Sequence, residues 1–485
     1  MRPKELPIAI DPDSPVPMAH QIVTGLIRAI QGGALPPRAA LPGTRVLADS
    51  LRVSRNTVLT AYAELSSKGW IAATHGSGSF VADLLPWVAR PANASRPEPE
   101  RSGPPAFDLP ARPDLATDQL TRVCKLSLGL PDPRLMPVDE LGRAYLRALR
   151  RRSRDVLEYG GPFGNRELRA ALSSFLGERR GMAVPPDSIL ITRGNQMSLN
   201  LVAQGLIKPG DRAAVEQPGS PQACEILRHA GARLVGIPVD EQGLDAAALA
   251  AVLQEGPIRL LYLTPRFQIP TTAQLSAERR EHILRLAQEH RFGIIEDDSE
   301  AEYGFEERFV PPLAAGPGSA SVIYLFSFSR LLAPGIRLGL VSASPDAVDR
   351  MARIRRRADM QGDLALERAM AELVADGEIH RHIHRVRRVY QERRDFLIRQ
   401  MELRFGSRFS LTVPTGGLSL WVRTDPSFDL PAWCERCAGA RLQLQPGRDF
   451  MLDRSPRPAF RLGFGSYEPA EMEDILRRME KALPD

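Results

Sequence analysis

Between Pro86 and Pro113 the chain carries eight prolines, separated by alanine, serine and charged residues with little apolar periodicity. Proline removes a backbone donor and fixes φ, so neither a helix interior nor a central strand runs through such a stretch. The 485 residues must therefore fold as two bodies joined by an extended, semi-rigid spacer. The expected division is 1–83, a linker over 84–120, and 121–485. A linker this long lets the first body sit far from its own second body, or against that of a partner subunit.

Composition sets outer limits. With 43% hydrophobic and 25% charged residues the chain is an ordinary globular protein. A net charge of +6 is a weak overall field for this length, so any acidic partner must be met by a local basic patch. Residues 1–85 hold eight Lys/Arg against six Asp/Glu. The four cysteines, Cys124, Cys224, Cys434 and Cys437, do not form a disulfide framework. Cys434-Glu-Arg-Cys437 has CxxC spacing but no second pair follows, and it lies in a helical-looking stretch, so no metal is assigned. No charged-flanked apolar leader and no apolar run of about 18 residues is present. The expected location is the cytoplasm, away from membranes.

In the first body, Pro17–Gly33 reads as a helix because Ile22, Leu26 and Ile30 recur at four-residue steps. A second short helix starts at Thr44, with Val46, Leu47 and Leu51 apolar. Ser54 is a natural N-cap for a third, on which Val58, Tyr62 and Leu65 share one face. Arg55, Asn56 and Thr57 are then left in its first turn, pointing outward. That geometry suits a recognition helix, whose N-terminal residues meet base edges. Trp70–Ala73 and Ser79–Ala82 read as two strands around the glycine-rich Thr74-His75-Gly76-Ser77-Gly78. Together these elements predict a winged helix-turn-helix.

Leu41-Pro42-Gly43-Thr44-Arg45, Val53-Ser54-Arg55-Asn56-Thr57-Val58 and Gly76-Ser77-Gly78-Ser79-Phe80-Val81 closely resemble the GntR-type winged-helix domain. The resemblance implies that Arg45, Ser54, Arg55, Asn56 and Thr57 face promoter DNA. It also implies that the Gly76–Gly78 wing meets the backbone or minor groove.

From about Thr121 helices and strands alternate. Ser188–Thr192, Arg212–Glu216, Leu260–Leu263, Gly293–Glu296, Val322–Phe326 and Gly339–Ala343 read as buried strands, which predicts an α/β fold with a mainly parallel sheet. Ser327-Phe328-Ser329-Arg330 and Pro334-Gly335-Ile336-Arg337 place two hydroxyls and two guanidiniums around a tight turn, donors that complement phosphate oxygens. Thr192-Arg193-Gly194-Asn195-Gln196 is a glycine turn into a helix N-terminus, a ready anion site. Ile295-Glu296-Asp297-Asp298 ends a strand in carboxylates.

These segments resemble the fold-type I pyridoxal-phosphate (PLP) enzymes, whose matching segment reads S-F-S-K-x-L-x-P-G-x-R-x-G. Joined to a GntR-type reader, the whole chain is similar to the MocR group of transcription regulators. The resemblance implies a PLP-transferase-like fold with a small C-terminal α+β subdomain, a PLP cofactor, and a head-to-tail homodimer. Carried over residue by residue, Gly194, Asn195 and Gln196 with Ser327, Ser329 and Arg337 hold the cofactor phosphate. Asp297 meets the pyridine nitrogen, and Arg461 in Phe460-Arg461-Leu462-Gly463-Phe464 meets a substrate α-carboxylate.

The departures cluster. Arg330 stands where the family has its Schiff-base lysine, and a guanidinium supplies no neutral amine. Ser299 and Ser220 replace two ring-contacting tyrosines, and Phe267-Gln268-Ile269-Pro270-Thr271-Thr272 replaces H-Q-[FY]-P-T-G. What survives binds anions. The expected function is a DNA-binding regulator whose large domain, without covalent PLP chemistry, senses a small anionic ligand or serves as a dimerisation scaffold. PLP is then held non-covalently at most, and Arg330 becomes a further clamp for phosphate or carboxylate. The alternatives are a PLP-dependent aminotransferase and a PLP-responsive regulator with non-covalent cofactor.

Overall fold

A computed structural model describes residues 8–74, 78–83, 85, 124–126, 129–151, 153–306 and 310–484. The chain divides into two compact units, Met1–Asp118 and Gln119–Asp485. The proline-rich linker and Gly76 lie outside the described residues.

The first unit holds α1 (Met18–Gln31), α2 (Thr44–Leu51), α3 (Arg55–Ser67), β1 (Ile71–Thr74) and β2 (Gly78–Val81). Ile22, Leu26 and Ile30 of α1 meet Leu47 of α2, Val58, Tyr62 and Leu65 of α3, and Ile71 and Val81 of the wing in one buried cluster. The four-residue apolar spacing is thus what closes this core. Ser54 caps α3, its Oγ accepting from the Thr57 amide at 3.1 Å. The Tyr62 hydroxyl donates to the Pro42 carbonyl at 2.8 Å, tying α3 to the turn that opens α2. The strands pair antiparallel, Ile71 opposite Val81 and Thr74 opposite Gly78. They sit one residue away from the expected bounds at each start. Val46, expected on the apolar side of α2, is instead 50% exposed beside Arg45, because Leu47 and Ala48 take the core-facing positions.

The second unit is built on an eight-stranded sheet. In spatial order its strands are Ile189–Thr192, Gly339–Ser342, Val322–Ser327, Gly293–Asp297, Leu260–Leu263, Arg212–Gln217, Arg233–Asp240 and Gly243–Leu244. The central five are parallel; Gly339–Ser342 runs antiparallel to both its neighbours. Successive residues feed opposite faces: Ala213 and Val215 join one apolar cluster and Ala214 another. A strand buried on both faces reads as a continuous apolar run, which is why these strands were legible. The first cluster is completed by Val202, Leu227 and Met351 from helices, the second by Leu249 and Ile283. The fold is α/β with a winged helix before it.

C-terminal to the sheet, the 28-residue helix Glu378–Phe405 leads into a four-stranded antiparallel sheet of Phe409–Leu411, Ser419–Thr424, Ala459–Gly463 and Gln445–Pro446. Leu430–Gly439, which carries the CxxC, is a helix with Cys437 buried and Cys434 partly so; both thiols are pushed up by burial, Cys437 to about 11. Among the described residues no group of His, Cys, Asp and Glu is placed to hold a metal ion, and no helix is long and apolar enough to cross a membrane.

Candidate functional site

Parallel strands all end at the same edge, and loops leaving that edge converge in a cleft. Here the converging groups are Asn195 and Gln196, Ser220, Tyr262, Asp297 to Glu300, Ser327 to Arg330, and Arg337. The cleft has three parts: one end rich in donors, a carboxylate wall, and a second end at Glu300 and Arg330, backed by the buried Arg461.

At the donor end, the helix Asn195–Leu206 begins after Gly194, which has φ +91° and no side-chain cap on the helix. The helix thus starts two residues earlier than Met197, where apolar periodicity begins, and its first amides open on the cleft. A Cβ placed on Gly194 would lie 3.3 Å from Arg337 Nη1 and 3.4 Å from Ser329 Oγ. Both the bare backbone and the positive φ therefore require glycine. The Oγ atoms of Ser327 and Ser329 and Oδ1 of Asn195 are buried with no hydrogen-bond partner among the described residues. Arg337 is exposed, and it makes no hydrogen bond or ion pair among the described residues. Buried polar atoms are almost always paired, and the two serine hydroxyls, which can donate, mark with Arg337 a place for an anion, whereas Asn195 Oδ1 can only accept.

The wall is Asp297, 7% exposed. One oxygen accepts from Asn195 Nδ2 at 2.5 Å and from the Tyr262 hydroxyl at 2.8 Å. The other accepts from the Ser299 amide at 3.2 Å and from the Ser299 hydroxyl. Asp297 and Asp298 are thus internal groups and not a solvated strand end. Asp298 is held by Arg266, by Arg180 at 3.3 Å and by the Tyr324 hydroxyl at 2.5 Å. Burial, reinforced by the Asp297 charge, drives the Tyr262 hydroxyl well above its ordinary value, so it stays a donor. Behind the wall, burial lifts Glu216 to about 8, although Thr264 donates to it through N–H and Oγ1 at 3.1 and 2.7 Å.

At the far end, Arg461 is 5% exposed, with Nε on Ser419 Oγ at 2.9 Å and Nη2 on Glu300 Oε1 at 3.3 Å. Arg330 donates from Nη1 to the Gly129 carbonyl at 3.0 Å and faces the same Glu300 oxygen at 3.6 Å. Arg330 thus lines the cleft with Ser329 and Arg337 and also faces an internal carboxylate. Ser220 caps the helix Pro221–His229 through the Ala223 amide at 3.3 Å.

Tyr262 and Glu300 were not among the residues singled out from sequence. Tyr262 sits inside a strand whose apolar run gives no sign of a cleft-facing hydroxyl. For Glu300 a signal existed: Glu296-Asp297-Asp298-Ser299-Glu300 is too acidic a run to end a buried strand without partners.

In the first unit, Arg45, Arg55, Asn56 and Gly78 are exposed, while the hydroxyls of Ser54 and Thr57 lie 2.8 Å apart and hold each other. Arg55 and Asn56 make up the open first turn of α3.

The residues fit pyridoxal phosphate unevenly. The orphaned hydroxyls, Gly194 and Arg337 fit its phosphate, and Asp297 is an acceptor at the wall. Arg330 does not fit covalent attachment, and no lysine stands among the described residues lining the cleft.

Residues 123–479 match the family described as aminotransferase class I and II, and residues 18–81 match bacterial regulatory proteins, gntR family. The chain is 28% identical over 483 residues to the probable rhizopine catabolism regulatory protein MocR of Rhizobium meliloti, covering 98% of this chain and 96% of that one. It is 31% identical over 481 residues to the HTH-type transcriptional regulator TauR of Rhodobacter capsulatus, covering 96% of each. Among solved structures, the α-aminoadipate aminotransferase LysN of Thermus thermophilus, complexed with N-(5'-phosphopyridoxyl)-L-leucine, superposes with a TM-score of 0.70 at 29% identity, covering 74% of this chain and 92% of that one. The chain belongs to the class I and II aminotransferase family through its large unit and, with a gntR-family domain in front of it, to the MocR-type transcriptional regulators.

Proposed function

We propose that this regulator reads promoter DNA through α3 and the wing, and that its large unit senses a small phosphate-bearing ligand held without a covalent bond. The observation that carries the second half is the donor end of the cleft: two buried, unpartnered serine hydroxyls beside Arg337 at an uncapped helix N-terminus. Pyridoxal phosphate is the ligand the family implies. When bound in a transaminase it acts as an electron sink for amino-acid chemistry. In this chain Gly194, Ser327, Ser329 and Arg337 would hold its phosphate, and Asp297, kept oriented by Asn195, Tyr262 and Ser299, would meet the ring. A guanidinium at position 330 serves neither as nucleophile nor as base. The large unit is accordingly a sensor and not a transaminase. A head-to-tail homodimer, in which the reader of one subunit lies against the large unit of the other, is part of the same reading.

For the reader, Arg45, Arg55 and Asn56 are assigned to DNA, with Gly78 on the wing, while Ser54 and Thr57 chiefly shape the helix start. Binding of the full chain to its own upstream DNA should fall steeply with salt. Arg55→Ala should weaken specific binding by about 1–3 kcal/mol, as for a base-reading arginine. Titrating pyridoxal phosphate into that assay tests the coupling: a shift in DNA affinity is expected. Salt-insensitive binding, or an amino-transfer activity in the purified chain, would contradict the assignment.

A further inference from the structure

The far end of the cleft contains something the phosphate end lacks, an internal carboxylate already seated on the arginines. Glu300 is 7% exposed. Its Oε1 lies 3.3 Å from Arg461 Nη2 and 3.6 Å from Arg330 Nη1, and its Oε2 accepts from the Leu418 amide at 3.4 Å. A carboxylate ligand binds a guanidinium best through two parallel N–H bonds. Of the two edges of Arg461 that could give them, Nε–Nη2 is filled by Ser419 Oγ at 2.9 Å and by Glu300, and Nη1–Nη2 already has its Nη2 on Glu300. Gly129, at φ +52°, packs its backbone against the same edge, since a Cβ there would stand 3.1 Å from Arg461 Nη2.

We infer that Glu300 takes the place of a ligand carboxylate, and that the cleft therefore selects phosphate-bearing ligands without an α-carboxylate over phosphate-bearing amino-acid conjugates. This rests on the phosphate-ligand reading above and adds the ligand's other end to it. The physics is a competition between like charges. A ligand carboxylate reaching Arg461 must either share one guanidinium with Glu300 or expel it. Sharing sets two anions against each other. Expulsion leaves Glu300 buried with its remaining partners at 3.4 and 3.6 Å, and a buried charge stripped of its partner is strongly unfavourable. A ligand ending in a hydroxyl, an aldehyde or an alkyl group meets neither cost.

The test uses the full-length chain and a matched pair of probes: N-(5'-phosphopyridoxyl)-L-leucine and the same compound lacking its carboxylate, N-(5'-phosphopyridoxyl)-3-methylbutylamine. Isothermal titration of the wild type should show the carboxylate-free probe binding at least about tenfold more tightly. Glu300→Gln keeps the side chain's shape and removes its charge. It should erase that preference by strengthening the leucine conjugate, with the other probe little changed. A wild-type preference for the leucine conjugate would overturn the inference, and so would a ratio that Glu300→Gln leaves unaltered. The wild-type ratio decides the matter even where the variant fails to fold. If neither probe binds, the phosphate-ligand reading falls and the selectivity with it; if both bind equally, the selectivity alone falls.

Discussion

The two ends of the cleft treat their cations in opposite ways. At the donor end Arg337 is exposed and unengaged among the described residues, and the serine hydroxyls beside it are buried without partners there. At the far end Arg461 is buried, locked to Ser419, and shares Glu300 with Arg330. On the proposed reading the first end takes its anion from a ligand, whereas the second has one of its own in Glu300. The difference separates a half of the cleft whose buried hydroxyls are unpaired among the described residues from a half whose cation is paired within the fold.

Truncation should separate the two ends most sharply. Arg461→Ala strands Glu300 in a buried site and should cost about 3–5 kcal/mol of stability in urea unfolding, the price of breaking a buried ion pair. Glu216 sharpens the contrast, because this buried carboxyl is paired with no cation among the described residues and burial raises it to about 8. With the folded value raised, the folded state keeps a proton that the unfolded chain releases above about 4.5. Stability is fully present below that pH and declines as pH rises towards about 8. Glu216→Gln should flatten this decline, gaining roughly a few kcal/mol at the alkaline end of a pH series of unfolding curves. Arg337→Ala should behave oppositely to Arg461→Ala: stability within about 0.5 kcal/mol of wild type, but phosphate-ligand affinity lower by about 1.5–3 kcal/mol in titration calorimetry. Equal destabilisation by the two arginine changes would break the comparison. The smallest effect is expected at Thr272, a β-branched residue at φ +62° where the family pattern has glycine. Thr272→Gly should relieve about 1 kcal/mol of left-handed strain, read as a higher unfolding midpoint with ligand affinity unchanged.

Much of the architecture was legible because its signals are local. The apolar spacing of Ile22, Leu26 and Ile30 and the Ser54 cap foretold the reader, and buried strands such as Leu260–Leu263 stood out as unbroken apolar runs. Arg233–Asp240 did not, since it lies near the sheet margin, alternates buried with exposed residues and contains Pro238. The strands of the small sheet were hidden by their shortness. In the cleft, the motif residues could be named from their spacing, but their state could not. That Ser327 and Ser329 lack partners, that Tyr262 reaches Asp297, and that Glu300 meets an arginine 161 residues away are facts of tertiary placement. The substitution at Arg330 was visible in sequence; its engagement with Gly129 and Glu300 was not.

The most direct measurement of the central claim is equilibrium dialysis of the full-length chain against pyridoxal phosphate, followed by borohydride reduction and intact-mass analysis. The account predicts saturable binding that inorganic phosphate competes away and that Arg337→Ala weakens, with the chain's mass unchanged after reduction and denaturation. A stoichiometric mass gain fixed on one lysine would contradict it.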